Sequence, residues 1–222
     1  MSFGSDTLER VRRWLGTGFA LDEQRWLVLD VESSGLDVQR DRLLAVAAVA
    51  VHFDAGAPRI HLGDSIELII RQAAAQAQPD KGNILLHGIG VGAQLAGTEA
   101  APALLAFEAW AGRSPLVAFH AAFDRAMLAR AGRAALGRIL PNPWLDLEPL
   151  AAVLYPKVRA RALDEWLAHF RIECAVRHQA AADAMATAEL MLKLWPALTR
   201  EAPRPQFRQV VALAGQRRWL PK

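Results

Sequence analysis

Four acids and one histidine stand out for their types and spacing. Asp30 and Glu32 close the apolar run Trp26–Val31, whose length and composition predict a buried strand. Side chains two apart on a strand share a face, so these carboxylates project together. Two neighbouring buried negative charges are unfavourable unless a cation neutralises them. Hard divalent ions such as Mg²⁺ take oxygen ligands of this kind. Asp-x-Glu by itself equally suits two acids past a strand end, in water.

Asp124 closes Phe119-His-Ala-Ala-Phe-Asp124, near the start of a helix that follows an apolar strand. Sites in open sheets gather at the carboxyl ends of strands, so Asp124 is expected at the same rim as Asp30. Alone, it is also a first-turn acid favoured by the helix dipole. The third element is Arg177-His-Gln-Ala-Ala-Ala-Asp183. Residues five apart on a helix point about 140° away from each other. His178 and Asp183 therefore reach one small site only if His178 precedes the helix. Asp183 then faces inward among alanines, which let the helix lie close to the sheet.

In this order, Asp-x-Glu, Phe-Asp and His-x-x-x-x-Asp resemble the signature of the DEDDh 3′–5′ exonucleases. That family includes the proofreading epsilon subunit of bacterial DNA polymerase III, oligoribonuclease and RNase T. The resemblance runs from about Trp26 to Leu194. Asp30-Val-Glu-Ser-Ser-Gly35 is similar to the family's Asp-x-Glu-Thr-Thr-Gly, with serines for threonines. Arg177-His178 through Thr187-Ala188 is similar to its third motif. His87-Gly88-Ile89 and Arg161–Ile172 are similar to further family elements. One departure is His120, which stands where the family commonly has Asn.

The resemblance implies a ribonuclease H-like α/β fold with a five-stranded mixed sheet and helices packed on it. It implies two Mg²⁺ or Mn²⁺ ions held by Asp30, Glu32, Asp124 and Asp183, with His178 as the general base. The implied reaction is hydrolysis from the 3′ end of single-stranded DNA or short RNA, releasing nucleoside 5′-monophosphates. Ser33, Ser34, Gly35, His87, His120 and Phe123 are the implied substrate contacts. Their structural alternatives are a turn, surface histidines and a core phenylalanine. A DNA polymerase subunit is an implied partner. The alternative is a non-catalytic nucleic-acid-binding or polymerase-docking module of the same fold.

Several elements must position these residues. Strands are expected at Trp26–Val31, Leu43–His52, Ile60–Ile70, Pro115–Phe119 and Trp144–Leu147. Ala57-Pro58 reads as a turn between the second and third. Helices are expected at Ser5–Leu15, from Thr98 to about Ala111, and at Ala121–Ala131, Ala162–Phe170 and Ala180–Leu194. The order β-β-β-α-β-α-β-α indicates a mixed sheet covered by helices.

The 222 residues suit one domain, read as a helical extension over 1–22, an exonuclease domain over 23–195 and a basic tail over 196–222. The tail holds six basic residues and one acid, and the rest of the chain 20 basic and 22 acidic, so the basic character is concentrated at the end. Such a segment suits a polyanion, or simply a solvated terminus. One cysteine, Cys174, excludes an intrachain disulfide and a Cys-rich zinc site. No apolar run reaches the roughly 18 residues of a membrane span, and the first residues lack the apolar core of a signal peptide. A cytoplasmic protein with no membrane partner is the expectation.

Overall fold

A computed structural model describes residues 20–54, 57–74, 84, 87–201 and 205–219. The helix expected over Ser5–Leu15 lies outside the described residues. The five expected strands form one mixed sheet: β1 (Arg25–Ser33), β2 (Leu43–Asp54), β3 (Ala57–Ile69), β4 (Leu116–Ala118) and β5 (Trp144–Asp146), in the order β3-β2-β1-β4-β5. The first three run antiparallel, and β4 and β5 run parallel to β1. The carboxyl ends of β1, β4 and β5 therefore meet at one rim.

Seven helices follow among the described residues: α1 (Val91–Ala96), α2 (Ala100–Ala111), α3 (Ala122–Leu136), α4 (Leu147–Leu154), α5 (Leu163–Phe170), α6 (Ala180–Glu201) and α7 (Phe207–Ala214), with a 3₁₀ turn over Gly215–Trp219. They cover both sheet faces, and the period of two along β1 decides which side chains meet which helices. Leu27, Leu29 and Val31 pack with Phe107 of α2 and Met127 of α3. Trp26 and Val28 face the other way, towards Trp166 of α5, Leu190 of α6 and Phe207 of α7. Asp30 and Glu32 continue that second series, so both project on the side covered by α6.

Two prolines lie where the sequence reading did not expect them. Ala57-Pro58 begins β3 instead of making a turn, with Pro58 opposite Phe53. The third strand is at the sheet edge, where a missing N–H can face away from the ladder. Pro196 lies inside α6, which runs on to Glu201. Proline removes one helical hydrogen bond, but Trp195, Ala197 and Leu198 around it are buried. Burial of that apolar stretch outweighs the lost bond, so the chain does not divide at Pro196.

Nor is the region beyond it a detached tail. Phe207, Val210 and Ala214 of α7 are buried in the core shared with Trp26, and the Phe207 and Trp26 rings meet edge to face at 5.0 Å. The Phe207 amide donates to Glu23 Oε2 at 2.8 Å. Among the described residues no helix is long and apolar enough to cross a membrane.

Candidate active site

Asp30 and Glu32 lie opposite Ala47 and Ala45 of β2, small partners that leave the acids room. Asp124 is in the first turn of α3, buried, and its Oδ1 accepts from the Val31 amide at 3.2 Å. That bond ties the helix start to the strand carrying the first two acids. Asp183 is buried in the first turn of α6, its amide donating to Gln179 O at 2.9 Å. Ala180 and Ala184 beside it are buried, which brings the helix close to the sheet.

Asp30 and Glu32 feel the charges of the other acids. Burial, followed by the charges of Asp124, Glu32 and Asp183, holds the Asp30 carboxyl well above the ordinary range. Burial and then Asp183 push Glu32 to about 8, against the pull of Arg177. Burial pushes Asp124 to about 7, although backbone N–H groups, Val31 among them, favour its charged form. Glu32 Oε1 is buried without a hydrogen-bond partner. A pocket that raises several carboxyls and orphans a buried carboxylate oxygen lacks positive charge.

Arg177 supplies part of that charge. Its guanidinium bridges buried Asp183 and the exposed Asp164 at the start of α5. Asp183 Oδ2 also accepts the His178 amide at 3.0 Å, and the Cys174 thiol lies 3.5 Å from Oδ1. Among the described residues, no three acidic, His or Cys side chains are gathered closely enough to hold a metal ion as they stand. Hard oxygen donors, net negative charge and an orphaned oxygen nevertheless fit divalent cations, with Arg177 now on one of the donors.

His178 lies just before α6, as its spacing to Asp183 required, with φ of 62° and an exposed side chain. The left-handed backbone turns the chain so that the His178 amide can cap Asp183, five residues ahead.

The expected substrate contacts divide. Ser33 Oγ donates to Gly35 O at 2.6 Å, and Ser34 Oγ donates to Asp41 Oδ1 and accepts the Arg42 amide, both at 2.9 Å. Both hydroxyls thus shape the loop after β1. A Cβ at Gly35 would lie 2.5 Å from Asp41 Oδ2, so a larger residue here would have to displace the Asp41 carboxylate. His87 is 3% exposed, and its Nδ1 accepts from the Ile89 amide at 3.0 Å; as it stands it offers no open face for stacking. His120 is exposed at φ of 57°, its amide donating to Asp146 Oδ1 at 3.0 Å, and Phe123 is partly buried against the core.

Three nearby residues were not singled out by spacing. Asp146 ends β5, caps α4 by accepting from Glu148 at 3.2 Å, and holds the loop of His120. Its signal is an acid that closes an apolar strand. Arg177 is adjacent to His178, but nothing in the sequence pairs it with Asp183. Asp164 carried no signal.

Comparison with known proteins gives a consistent answer. An exonuclease family model of the RNase T type matches residues 27–191. The chain is 30% identical over 174 residues to a DNA polymerase III PolC-type from Oceanobacillus iheyensis, covering 78% of this chain and 12% of that protein. It is 31% identical over 195 residues to a DNA polymerase III subunit epsilon-like protein from Rhodobacter capsulatus, covering 80% of this chain and 25% of that one. The chain thus spans only a small part of these relatives' length. Among solved structures, E. coli exonuclease I in complex with a dT13 oligonucleotide superposes with a TM-score of 0.68 at 18% identity, over 80% of this chain and 42% of that one. Exonuclease X in complex with 5′ overhanging duplex DNA gives 0.63 at 18% identity, over 86% and 99%.

Proposed function

The chain belongs to the exonuclease family, and from that premise we propose that it is a metal-dependent 3′–5′ exonuclease acting on single-stranded DNA ends, with short RNA as the second substrate class. The observation that carries this reading is the set of four acids at the rim where β1, α3 and α6 meet, with Asp124, Glu32 and Asp183 all raising the Asp30 carboxyl. Asp30, Glu32, Asp124 and Asp183 would hold two divalent ions, Mg²⁺ or Mn²⁺. When bound, such ions neutralise charge developing on the phosphate and lower the pKa of a coordinated water.

The protein's own groups do the rest. Asp183 would hold metal where it now holds the Arg177 guanidinium, and Asp164, paired with the same guanidinium, would keep the arginine. His178, exposed beside Asp183, accepts the proton of the attacking water at an imidazole nitrogen. The water oxygen bonds to phosphorus, the bond from phosphorus to the 3′-oxygen breaks with its electron pair going to that oxygen, and a proton from solvent completes the 3′-hydroxyl. The products are a nucleoside 5′-monophosphate and a strand with a new 3′-hydroxyl. The loop built by Ser33, Ser34 and Gly35 shapes the approach to the terminal nucleotide, with Phe123 and His120 at its border.

The relatives named above support association with a DNA polymerase as the setting of this activity. The nuclease unit would extend beyond 195 to include α7, because α7 completes its core.

The test is a 5′-labelled single strand offered with Mg²⁺, with Mn²⁺ and with EDTA, as DNA and as RNA. A ladder shortening from the 3′ end in either metal, absent in EDTA, is expected. Unchanged cutting in EDTA would overturn the reading.

A further inference from the structure

An open groove of ≈ 430 Å³ runs between α3 and the loop after β1, and three arginines line it: Arg125, Arg130 and Arg133. Ala126 and Ala129 lie between them, so the helix face is low and the charges stand along it. Arg125 and Arg133 are exposed and make no ion pair among the described residues. Arg130 donates to Gln39 O at 2.6 Å and fastens the far wall to the helix. The acids of that wall are occupied. Asp37 is 3.7 Å from Arg40 and accepts from the Gln39 amide, while Asp41 accepts from Ser34 and from the Asp37 amide. The one acid of α3, Asp124, is buried at the site.

Both walls are continuous in the chain with the catalytic rim. One begins at Ser33, directly after Glu32; the other begins at Ala122, two residues before Asp124. We propose that this groove is the track for the phosphate backbone of the substrate strand on the 5′ side of the cleaved end. Arg125 and Arg133 each take a phosphate, and Arg130 holds the loop in place. Eight helical residues span about 12 Å, so the two charges serve phosphates some nucleotides apart, and Arg133, nine residues after Asp124, lies beyond the reach of a dinucleotide. This rests on the exonuclease reading and moves the polyanion contact from the C-terminal segment to the helix carrying Asp124.

The experiment uses the full chain and the variants Arg125→Ala/Arg133→Ala and Arg125→Lys/Arg133→Lys. Both positions are exposed on a helix and alanine is the best helix former, so the fold is retained and is checked by thermal melting. Binding of a single-stranded dodecamer is measured in EDTA at several salt concentrations, and dinucleotide cleavage in Mn²⁺. The slope of log affinity against log salt should be shallower by about 1.4 in the alanine variant, at 0.7 for each lost contact with a single strand. The lysine variant should keep the wild-type slope, and dinucleotide cleavage should persist in all three. Equal slopes for wild type and the alanine variant, or no dodecamer binding by wild type at low salt, would overturn the proposal. Failure of the wild type to shorten the dodecamer in Mn²⁺ would overturn the exonuclease reading instead, leaving the slope comparison to decide on the groove.

Discussion

At the scale of single residues, the site is a set of carboxyls short of positive charge, and this makes the metal-free protein sensitive to pH. Asp30, Glu32 and Asp124 all have folded-state values raised above those of free carboxyls. Between about pH 4 and pH 8 the folded chain therefore holds protons that the unfolded chain has released. Stability in that window falls as pH rises, by up to about 1.4 kcal/mol per pH unit for each extra proton held. In EDTA the melting temperature should drop from pH 5 to pH 8.5; in Asp30→Asn it should drop less, and Mn²⁺ should restore the wild type at high pH. A wild-type melting temperature that stays flat or rises with pH in EDTA contradicts this. Arg177 supplies a second prediction. Its removal leaves buried Asp183 without its cation, and the Arg177 side chain is 26% exposed, so Arg177→Ala should lose about 1–3 kcal/mol of metal-free stability. Mn²⁺ should bind this variant more tightly by calorimetry, because no guanidinium has to leave. Unchanged melting together with unchanged affinity would count against it. The proposed acids and His178 drew attention in the sequence because their types and spacings are those that a metal-dependent hydrolysis would demand. Arg177 did not, because its partner Asp164 comes from a separate helix.

At the scale of elements, an ion-pair network anchors the edge strand. In the β2–β3 register Ala50 pairs with His61 and Val49 with Ser65, so β3 carries extra residues that bulge out. Asp64 lies in that bulge and accepts two bonds from Arg25 at 2.7 Å and one from Trp110 Nε1 at 2.9 Å, with His52 Nε2 at 2.8 Å. These partners hold its carboxyl well below the usual range. Asp64→Ala should destabilise by about 1–3 kcal/mol in chemical denaturation, since Arg25 is then left largely buried without its partner. Its kcat should stay at the wild-type value, because Arg25 and Glu32 are about 23 Å apart along β1. A large fall in kcat with unchanged stability would refute that separation. The strands were legible from apolar runs, and α2, α3, α5 and α6 from spacing and end signals, whereas α1 was not expected. Pro58 and Pro196 misled because the local preference of proline yields where an edge position or a buried neighbourhood removes its penalty. The helix α4 was hidden behind β5, which hands Asp146 directly to it as a cap.

At the scale of the whole molecule, the C-terminal helix belongs to the core. Phe207 is 1% exposed and packs with Trp26, whose ring also meets Phe53 and Trp195. Phe207→Ala should cost about 3–5 kcal/mol, measured by denaturant unfolding. A loss below 1 kcal/mol would show α7 to be a loosely held appendage. The basic composition of this segment hid its apolar stripe at 207, 210 and 214, and charge counting alone could not reveal where that stripe would dock. The sheet and its helices bring motifs about 150 residues apart in sequence to one rim, and the central claim is that this rim cleaves nucleotides from 3′ ends. The most direct test is nucleotide release from a uniformly labelled single strand in Mn²⁺, by wild type and by Asp183→Asn, with a closed circular strand as the control. The account predicts stepwise release of nucleoside 5′-monophosphate by wild type, background rates for the folded variant, and an intact circle. Equal rates for the two proteins, or efficient cutting of the circle, would contradict it.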